Sequence, residues 1–443
     1  MKLNSLVLPF LGAVVVIAIL WSESLVHPKV VPGPVHITYW EKWSGFEGDA
    51  MRAVVNHFNK IQDKVFVDML QVSAIQDKTL LAVAGDIPPD VAGLYGPNVA
   101  QYADDNAVIP LDDYCRKFNI SRDDYIPVYF DIGVYRDHVY SLPTTPASTA
   151  LHYNTDEFKA AGLDPDKPPK TIEEMDTMVD KLTIRNSDGT IKQSGFMHAE
   201  PGWWNWMWGP IFGGKLIDEN ENITANSPDN VRGFEWVQSY AKKYGVTTLQ
   251  TFRSGFGTFS SPENAFMSGR VAMELQGVWM ANFISQFNKD RHWKAAPFPY
   301  PADRPDLANS TMADEDVLVI PRGAKHPDEA FEFIRYVQSQ EGMEMLCMGQ
   351  KKHTPLKKVS DEFLKNHPNP YIKLFTDLPR GKTVLTTPKI GLWPEYQAEL
   401  NNAFDEINLL QKTPKQALDN VQAVMQTKMN RYNAVLRKRG ILK

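Results

Sequence analysis

The side chains best suited to chemistry in this sequence are four tryptophans within six residues: Trp203, Trp204, Trp206 and Trp208. No helical or strand repeat turns four neighbouring indoles to one face, so some of them are expected to face something other than the core. An indole offers a flat apolar face and one N–H donor, which suits the C–H face and hydroxyl rim of a sugar ring. A buried cluster beneath a loop is the alternative. The pattern predicts a ligand cleft lined by Trp203, Trp204 and Trp206.

Composition and charge restrict the function class. The 443-residue chain carries a net charge of −6, and its lysines and arginines are spread along the sequence. Because no concentrated basic region is available to neutralise phosphates, nucleic acid is not expected as a partner. Cys115 and Cys347 form no CxxC or zinc-ligand spacing, and either a long-range disulfide or two free thiols fits them. Without paired histidines or common catalytic motifs, the sequence predicts no metal, no cofactor and no catalytic residue.

An apolar segment near the N-terminus predicts export. Lys2 precedes an apolar run from Leu6 to Trp21, which is short for a membrane span of about 20 apolar residues. We interpret residues 1–24 as a signal peptide cut after Ser24, or alternatively as an uncleaved N-terminal anchor. Either form exports the rest of the chain. Residues 25–34 are rich in proline and predict a linker to the folded part.

Alternating strand and helix patterns begin at residue 35. Strands are predicted at 35–39, 65–70 and 91–94, and amphipathic helices fill the intervals. This order is typical of an α/β domain with a largely parallel sheet. Ligands of such sheets bind beyond the carboxyl ends of the strands. The rule groups at one rim Trp40, Glu41, Trp43, Asp90 and Tyr95.

The second half of the sequence contains a crossover and a return. Residues 143–149 interrupt a strand and predict the first crossover to a second domain. Trp279 follows a strand predicted at 271–275 and is expected at its carboxyl end. Residues 313–316 precede a strand at 317–320 that returns to the first domain. Two helical patterns near the C-terminus are assigned to the second domain.

Several segments carry a resemblance to a known family: ITYWEKWSGFEG, IPPDVAGLYG, SLPTTPASTALHYNTDEFKAAGLD, ENAFMSGRVAMELQGVW and VLVIPRGAKHPDEAFEFIRYVQSQEG. In their order and spacing across residues 35–440, the chain resembles the family 1 extracellular solute-binding proteins of ABC importers. The resemblance implies an α/β, two-lobe, type II-like periplasmic-binding-protein fold with hinge strands between the lobes. Lobe 1 would comprise 35–145 plus 314–352, and lobe 2 would comprise 146–313 plus 353–443.

The same resemblance implies a function. The protein would be the extracytoplasmic solute-binding component of an ABC importer, not an enzyme. It would bind a carbohydrate between its lobes and deliver it to permease subunits in the inner membrane, as a periplasmic monomer without a cofactor. In the family, the position of Trp279 commonly stacks on a sugar, and side chains near Glu41, Trp43, Asp90 and Tyr95 bind hydroxyls through charge-assisted hydrogen bonds.

One departure from the family pattern concerns Asp314 and Glu315. They stand where many members carry Gly-Gly-Trp just before the returning strand. We include both carboxylates in the predicted ligand site, where they indicate a more polar or an amino-bearing ligand.

Two other functions remain open from the sequence. An exported glycoside hydrolase would use Glu41 with Asp90 or Glu315, provided that the two carboxyl groups lie about 5–5.5 or 6.5–9.5 Å apart. A binding protein for a sugar or polyol phosphate would place a basic side chain such as Arg253 or Arg380 in the cleft.

Overall fold

The computed structural model describes residues 33–442. The predicted signal peptide or anchor at 1–24 lies outside these residues, and so does the predicted linker at 25–34 except for its last two positions. Within residues 33–442, none of the helices combines the length and the apolar character that a membrane crossing requires.

The strands are short except for two that run through the middle of the molecule. They are β1 (Val35–Glu41), β2 (Val65–Gln71), β3 (Val91–Tyr95), β4 (Val134–Tyr135), β5 (His138–Val139), β6 (Leu142–Asn154), β7 (Ile184–Arg185), β8 (Ile191–Gln193), β9 (Met273–Gly277), β10 (Trp293–Ala296), β11 (Thr311–Val319) and β12 (Val384–Leu385).

Helices occupy most of the remaining chain. The α-helices span Gly45–Ile61, Ile75–Ala84, Val99–Asp104, Asp112–Phe118, Pro127–Ile132, Thr155–Ala160, Ile172–Leu182, Trp208–Ile211, Pro228–Tyr244, Val246–Arg253, Met280–Phe287, Pro327–Val337, Gln340–Gln350, Asp361–Asn366, Ile372–Asp377, Trp393–Asn408 and Pro414–Lys438. Short 3-10 turns lie at Gly96–Asn98, Arg122–Asp124, Asn205–Met207, Pro305–Leu307 and Leu378–Arg380.

The main sheet has the strand order β10-β6-β11-β3-β1-β2, with β9 attached to β6 and β12 attached to β11. β1 pairs in parallel with both β2 and β3, as the βα pattern predicts. β11 is antiparallel to β3 and β6, and β6 is antiparallel to β9 and β10. The sheet is therefore parallel among β1, β2 and β3, which are joined by helices, and antiparallel where β11 and β6 join it.

Two large hydrophobic cores give the molecule two lobes. The first core is formed by β1 to β3, the helix Gly45–Ile61 and the helix Pro327–Val337, and it also includes Leu356 and Phe363, which lie beyond the predicted boundary at 352. The second core extends from Leu151 to Met429 and takes in the two C-terminal helices. The structure is therefore an α/β architecture of two lobes, with one core in each lobe.

The strands β6 and β11 connect the two lobes. β6 pairs with β11 through Leu142 to Ser148 and then continues into pairs with β9 and β10. The predicted crossover at 143–149 is thus an uninterrupted part of one 13-residue strand, although it contains two prolines. The prolines are accommodated at the point where the pairing with β11 becomes irregular, because a proline has no N–H to donate to a regular ladder.

Local sequence signals explain several of the elements. The helix Gly45–Ile61 buries Met51, Val54, Val55 and Phe58, which follow the spacing of one helix face. The helix Ile172–Leu182 begins where the hydroxyl of Thr171 accepts the amide of the third helical residue. The two cysteines are both free and buried, so no disulfide joins them.

Candidate functional site

A cleft of about 820 Å³ lies between the two lobes. Lobe 1 contributes residues 42–47, Tyr95 and Lys352, and lobe 2 contributes residues 203–204, 259–260 and the helix that follows Trp279. The floor is formed by the connecting strands, at Thr145 and at residues 314–316. Its volume is within the range of clefts that enclose a small-molecule ligand.

Aromatic rings form the wall on lobe 2. Trp279 follows the carboxyl end of β9, and its ring lies 5.7 Å from the ring of Trp204 and 6.3 Å from that of Trp203. Phe259 extends this wall, with its ring 4.5 Å from that of Trp203. Trp203 is 40% exposed and stands at the opening. The indoles of Trp203 and Trp204 are nearly perpendicular to each other, so the wall offers differently oriented flat faces.

The opposite wall is formed by Trp43 and Tyr95, at the carboxyl ends of β1 and β3. Their rings lie 5.6 Å apart and almost perpendicular to each other. The indole Nε1 of Trp43 donates a hydrogen bond of 2.7 Å to Oδ2 of Asp316, and its backbone N–H donates one of 2.9 Å to Oε1 of Glu41. Trp43 is therefore fixed at both its backbone and its ring.

Two buried lysines lie behind the rings of lobe 1. Nζ of Lys42 is 3.1 Å from Oδ1 of Asp316 and donates a hydrogen bond of 2.9 Å to the carbonyl oxygen of Leu94. Nζ of Lys352 is 2.7 Å from Oε1 of Glu47 and 3.9 Å from Oδ2 of Asp316. Burial alone would raise the pKa of Asp316, but the two ammonium groups outweigh it and hold the pKa below its ordinary value. The cleft thus contains ionised pairs.

The two ammonium groups also lie against aromatic faces. Nζ of Lys42 is 4.9 Å from the ring centre of Tyr95 and 5.6 Å from that of Trp43. Nζ of Lys352 is 5.7 Å from the ring centres of both Trp43 and Trp279, which belong to different lobes. Cations at such distances are attracted to the ring face, so Lys352 helps to hold both walls in place.

Asp314 lies on the floor beside Asp316, and no lysine among residues 33–442 is within ion-pair distance of it. Its Oδ1 accepts the backbone N–H of Glu315 at 2.7 Å. Burial raises the pKa of Asp314 to about 7, and the negative charge of Asp316 adds to the rise. Near neutral pH its carboxyl group can accept hydrogen bonds when ionised and can donate one when protonated.

Of the residues predicted from the sequence, a majority line this cleft: Trp43, Tyr95, Trp203, Trp204, Trp279, Asp314 and Glu315. Glu315 differs from the others, because its side chain is only 2% exposed. Both of its carboxyl oxygens lack a hydrogen-bond partner among residues 33–442, and burial raises its pKa well above the ordinary value. Glu315 is therefore a buried group at the edge of the floor, where burial favours its protonated form.

Three predicted residues do not line the cleft, and their assignment is corrected. The carboxylate of Glu41 is buried beneath Trp43 and is occupied by the hydroxyl of Tyr39 as well as by the backbone of Trp43. Asp90 precedes β3, so it lies at the amino end of that strand and not at its carboxyl end. Trp206 is 1% exposed and packs edge to face against Trp393, with ring centres 5.7 Å apart.

The carboxylate of Asp90 has a structural task. Its oxygens accept the backbone N–H groups of Thr38 at 2.8 Å, Lys325 at 3.1 Å and His326 at 3.0 Å. These bonds join the start of β3 to β1 and to the segment before the helix Pro327–Val337. A ligand would have to compete with three backbone donors for this carboxylate.

Sequence reasoning missed the charged side chains that surround Trp43. Lys42 and Asp316 are adjacent in sequence to predicted site residues, so they could have been assigned to the site on that ground. Glu47 lies in the first turn of the helix Gly45–Ile61 and could have been assigned to the same rim. Lys352 and Phe259 lie in segments without any local motif, and only the folding of the chain brings them to the cleft.

Comparison with known proteins identifies a family, two relatives and a solved structure. Residues 53–371 match the family described as bacterial extracellular solute-binding protein. The sn-glycerol-3-phosphate-binding periplasmic protein of Pectobacterium atrosepticum is 23% identical over 426 residues, which cover 91% of each chain. The arabinooligosaccharide-binding protein of Bacillus subtilis is 23% identical over 423 residues, which cover 89% of this chain and 93% of the relative. Among solved structures, CpMnBP1 with mannobiose bound matches with a TM-score of 0.78 and 30% identity, over 88% of this chain and 99% of that one.

Proposed function

Because the chain belongs to the family of bacterial extracellular solute-binding proteins, we propose that it is the solute receptor of an ABC importer. It works in the periplasm, binds a carbohydrate between its two lobes and delivers it to permease subunits in the inner membrane. Its task is binding and transfer of an intact solute. The observation that carries this proposal is the cleft whose two facing walls present tryptophan rings.

The cleft has the chemistry that a sugar requires. A pyranose ring has apolar C–H faces that stack on indoles, and Trp43 faces the cleft from lobe 1 while Trp279 and Trp204 face it from lobe 2. Hydroxyl groups at the sugar's edge are within the reach of Asp314 on the floor. Stacking supplies affinity, and the carboxyl group supplies orientation through a charge-assisted hydrogen bond. A similar protein in the comparison holds mannobiose, which is consistent with an oligosaccharide as the solute.

The alternative of a phosphate-bearing solute finds less support. Arg253 donates a 2.6 Å hydrogen bond to Glu200, Arg380 donates to the carbonyl of Lys357, and both lie outside the cleft. The lysines that do line the cleft are already engaged by carboxylates. A phosphate group would therefore meet few free donors in this cleft.

The alternative of a glycoside hydrolase also finds less support. It needs two carboxyl groups on opposite sides of a glycosidic bond. Glu41 and Asp90 do not line the cleft, so Glu315, which lines it but is only 2% exposed, has neither of its expected partner carboxylates there. None of the carboxylate pairs considered from the sequence is presented to the cleft.

The proposal is tested by a ligand screen of the purified protein. The probes are mannobiose, mannotriose, arabino-oligosaccharides, monosaccharides and sn-glycerol 3-phosphate, followed by thermal shift, tryptophan fluorescence and product analysis. A solute present at 100 times its dissociation constant adds about 2.7 kcal/mol to the stability of the folded state. An intact sugar that changes both signals supports the proposal. A cleaved sugar would instead identify an enzyme, and a response to sn-glycerol 3-phosphate alone would identify a phosphate receptor.

A further inference from the structure

The two lysines of the cleft are matched by two carboxylates. Lys42 and Lys352 are each only 4% exposed at their side chains, and two carboxylates, Glu47 and Asp316, lie within ion-pair distance of them. Buried charges of this kind are stable only when they are paired. The arrangement leaves the lysine side of the cleft without net charge, although it contains two cations.

Asp316 is the centre of this network. One of its oxygens lies 3.1 Å from Nζ of Lys42, and the other accepts Nε1 of Trp43 at 2.7 Å and the hydroxyl of Thr145 at 2.8 Å. The same oxygen is 3.9 Å from Nζ of Lys352. Asp316 therefore contacts both cations, and it is held in place by two neutral donors that do not compete for its charge.

We propose that Asp316 determines the charge selectivity of the cleft: by neutralising Lys42 and engaging Lys352, it reserves the site for uncharged solutes and excludes anionic ones. This inference rests on the proposed function, because it requires that solutes bind in this cleft. An anion that entered the wild-type cleft would approach Asp316 and Asp314 and would have to displace a carboxylate from a buried lysine. Juxtaposed like charges disfavour such a complex and suppress the wrong partner.

The variant that tests the inference is Asp316→Asn. Asparagine keeps the size of the side chain and an oxygen that can accept the hydrogen bonds of Trp43 and Thr145, but it removes the negative charge. Lys42 is then left without a carboxylate partner. The matched control is Asp90→Asn, which makes the same change of charge at a carboxylate that lies outside the cleft and binds three backbone N–H groups.

The measurement is isothermal titration of wild type and both variants with sn-glycerol 3-phosphate and, separately, inorganic phosphate. We expect the wild type and Asp90→Asn to bind these anions no more tightly than the weakest affinity that the titration detects, and Asp316→Asn to bind them at least about tenfold more tightly than that limit, which equals about 1.4 kcal/mol. A folded Asp316→Asn protein that gains no anion affinity would overturn the inference. So would a wild-type protein that binds sn-glycerol 3-phosphate as tightly as the variant does.

A second variant tests the same inference in case Asp316→Asn does not fold. Glu47→Gln removes the carboxylate that lies 2.7 Å from Nζ of Lys352, in the first turn of a helix, and leaves Asp316 unchanged. It is expected to gain anion affinity in the same direction, and circular dichroism and thermal unfolding report whether it is folded. Because the readout is an anion, it does not depend on which sugar is the natural solute. Failure of the sugar screen and failure of this inference are therefore separate results.

Discussion

Replacing Trp279 by alanine removes an aromatic ring that is central to the wall on lobe 2. The ring lies next to two other indoles and a lysine, and it is only partly buried, so one face is available to a solute. A buried tryptophan covers about 150–250 Å², and a sugar stacked on one face would cover roughly a third of this, or about 70 Å². At about 25 cal/mol per Å², the lost contact is worth about 2 kcal/mol. We therefore expect the affinity for the sugar to fall about 25-fold.

The assay for Trp279→Ala is isothermal titration with the sugar identified by the screen, on protein whose folding is checked by circular dichroism. The matched control is Trp206→Phe, a change in another indole of lobe 2 that packs in the core away from the cleft. We expect the control to lower the free energy of unfolding while affinity stays within about twofold, because it empties space only in the core. Equal affinity of Trp279→Ala and wild type would refute the assignment of Trp279 to the solute site.

Two further substitutions separate stability from binding. Asp90→Ala leaves three backbone N–H groups without their acceptor. We therefore expect urea denaturation to show that the free energy of unfolding falls by roughly 2–4 kcal/mol, with unchanged sugar affinity. A large loss of affinity in folded protein would show that Asp90 belongs to the solute site. Glu274 is buried, and burial together with the charge of Glu200 raises its pKa to about 8. Between its ordinary pKa and about 8 the folded state binds a proton that the unfolded state lacks, so the free energy of unfolding falls as pH rises through this range. Glu274→Gln is neutral at every pH, so between pH 5 and pH 8.5 the wild type is expected to lose roughly 4 kcal/mol of stability relative to this variant. Identical pH profiles of the two proteins would contradict the raised pKa.

The sequence was sufficient for much of the first lobe. β1, β2 and β3 and the helices between them follow local periodicity, which indicates parallel pairing, whereas the order β3-β1-β2 comes from the structure. The carboxyl-end rule then brought Trp43 and Tyr95 to one rim. The same rule could not give the direction of a side chain. Glu41 ends β1 as predicted, yet its carboxylate turns inward because a buried tyrosine hydroxyl and a backbone N–H bind it there.

Other parts of the site depend on contacts that no local pattern contains. Lys352 follows the helix Gln340–Gln350, and its ammonium reaches the cleft only because that helix packs against the helix that carries Glu47. In the tryptophan segment, too, the sequence does not reveal which side chains face the cleft. Trp203 and Trp204 precede a 3-10 turn and face the cleft, whereas Trp206 lies within the turn and points into the core. Composition predicted an aromatic cleft, and only the backbone geometry decides which indoles belong to it.

The floor of the cleft lies on the strands that connect the two lobes, so the order in which a solute meets the floor and the walls can be inferred. β6 and β11 pass through both lobes and carry the floor residues Thr145, Asp314 and Asp316, so the floor belongs to the hinge. Closure by rotation about such strands moves the walls more than the floor. The charge network lies on the floor and on lobe 1, while most of the stacking surface lies on lobe 2. A solute that enters the open cleft would therefore meet the charge-selective residues in their final arrangement, and the indoles of lobe 2 would close over it afterwards. In this order an anionic solute would be rejected before closure, as the proposed charge selectivity of Asp316 requires, because both lysines are paired with carboxylates.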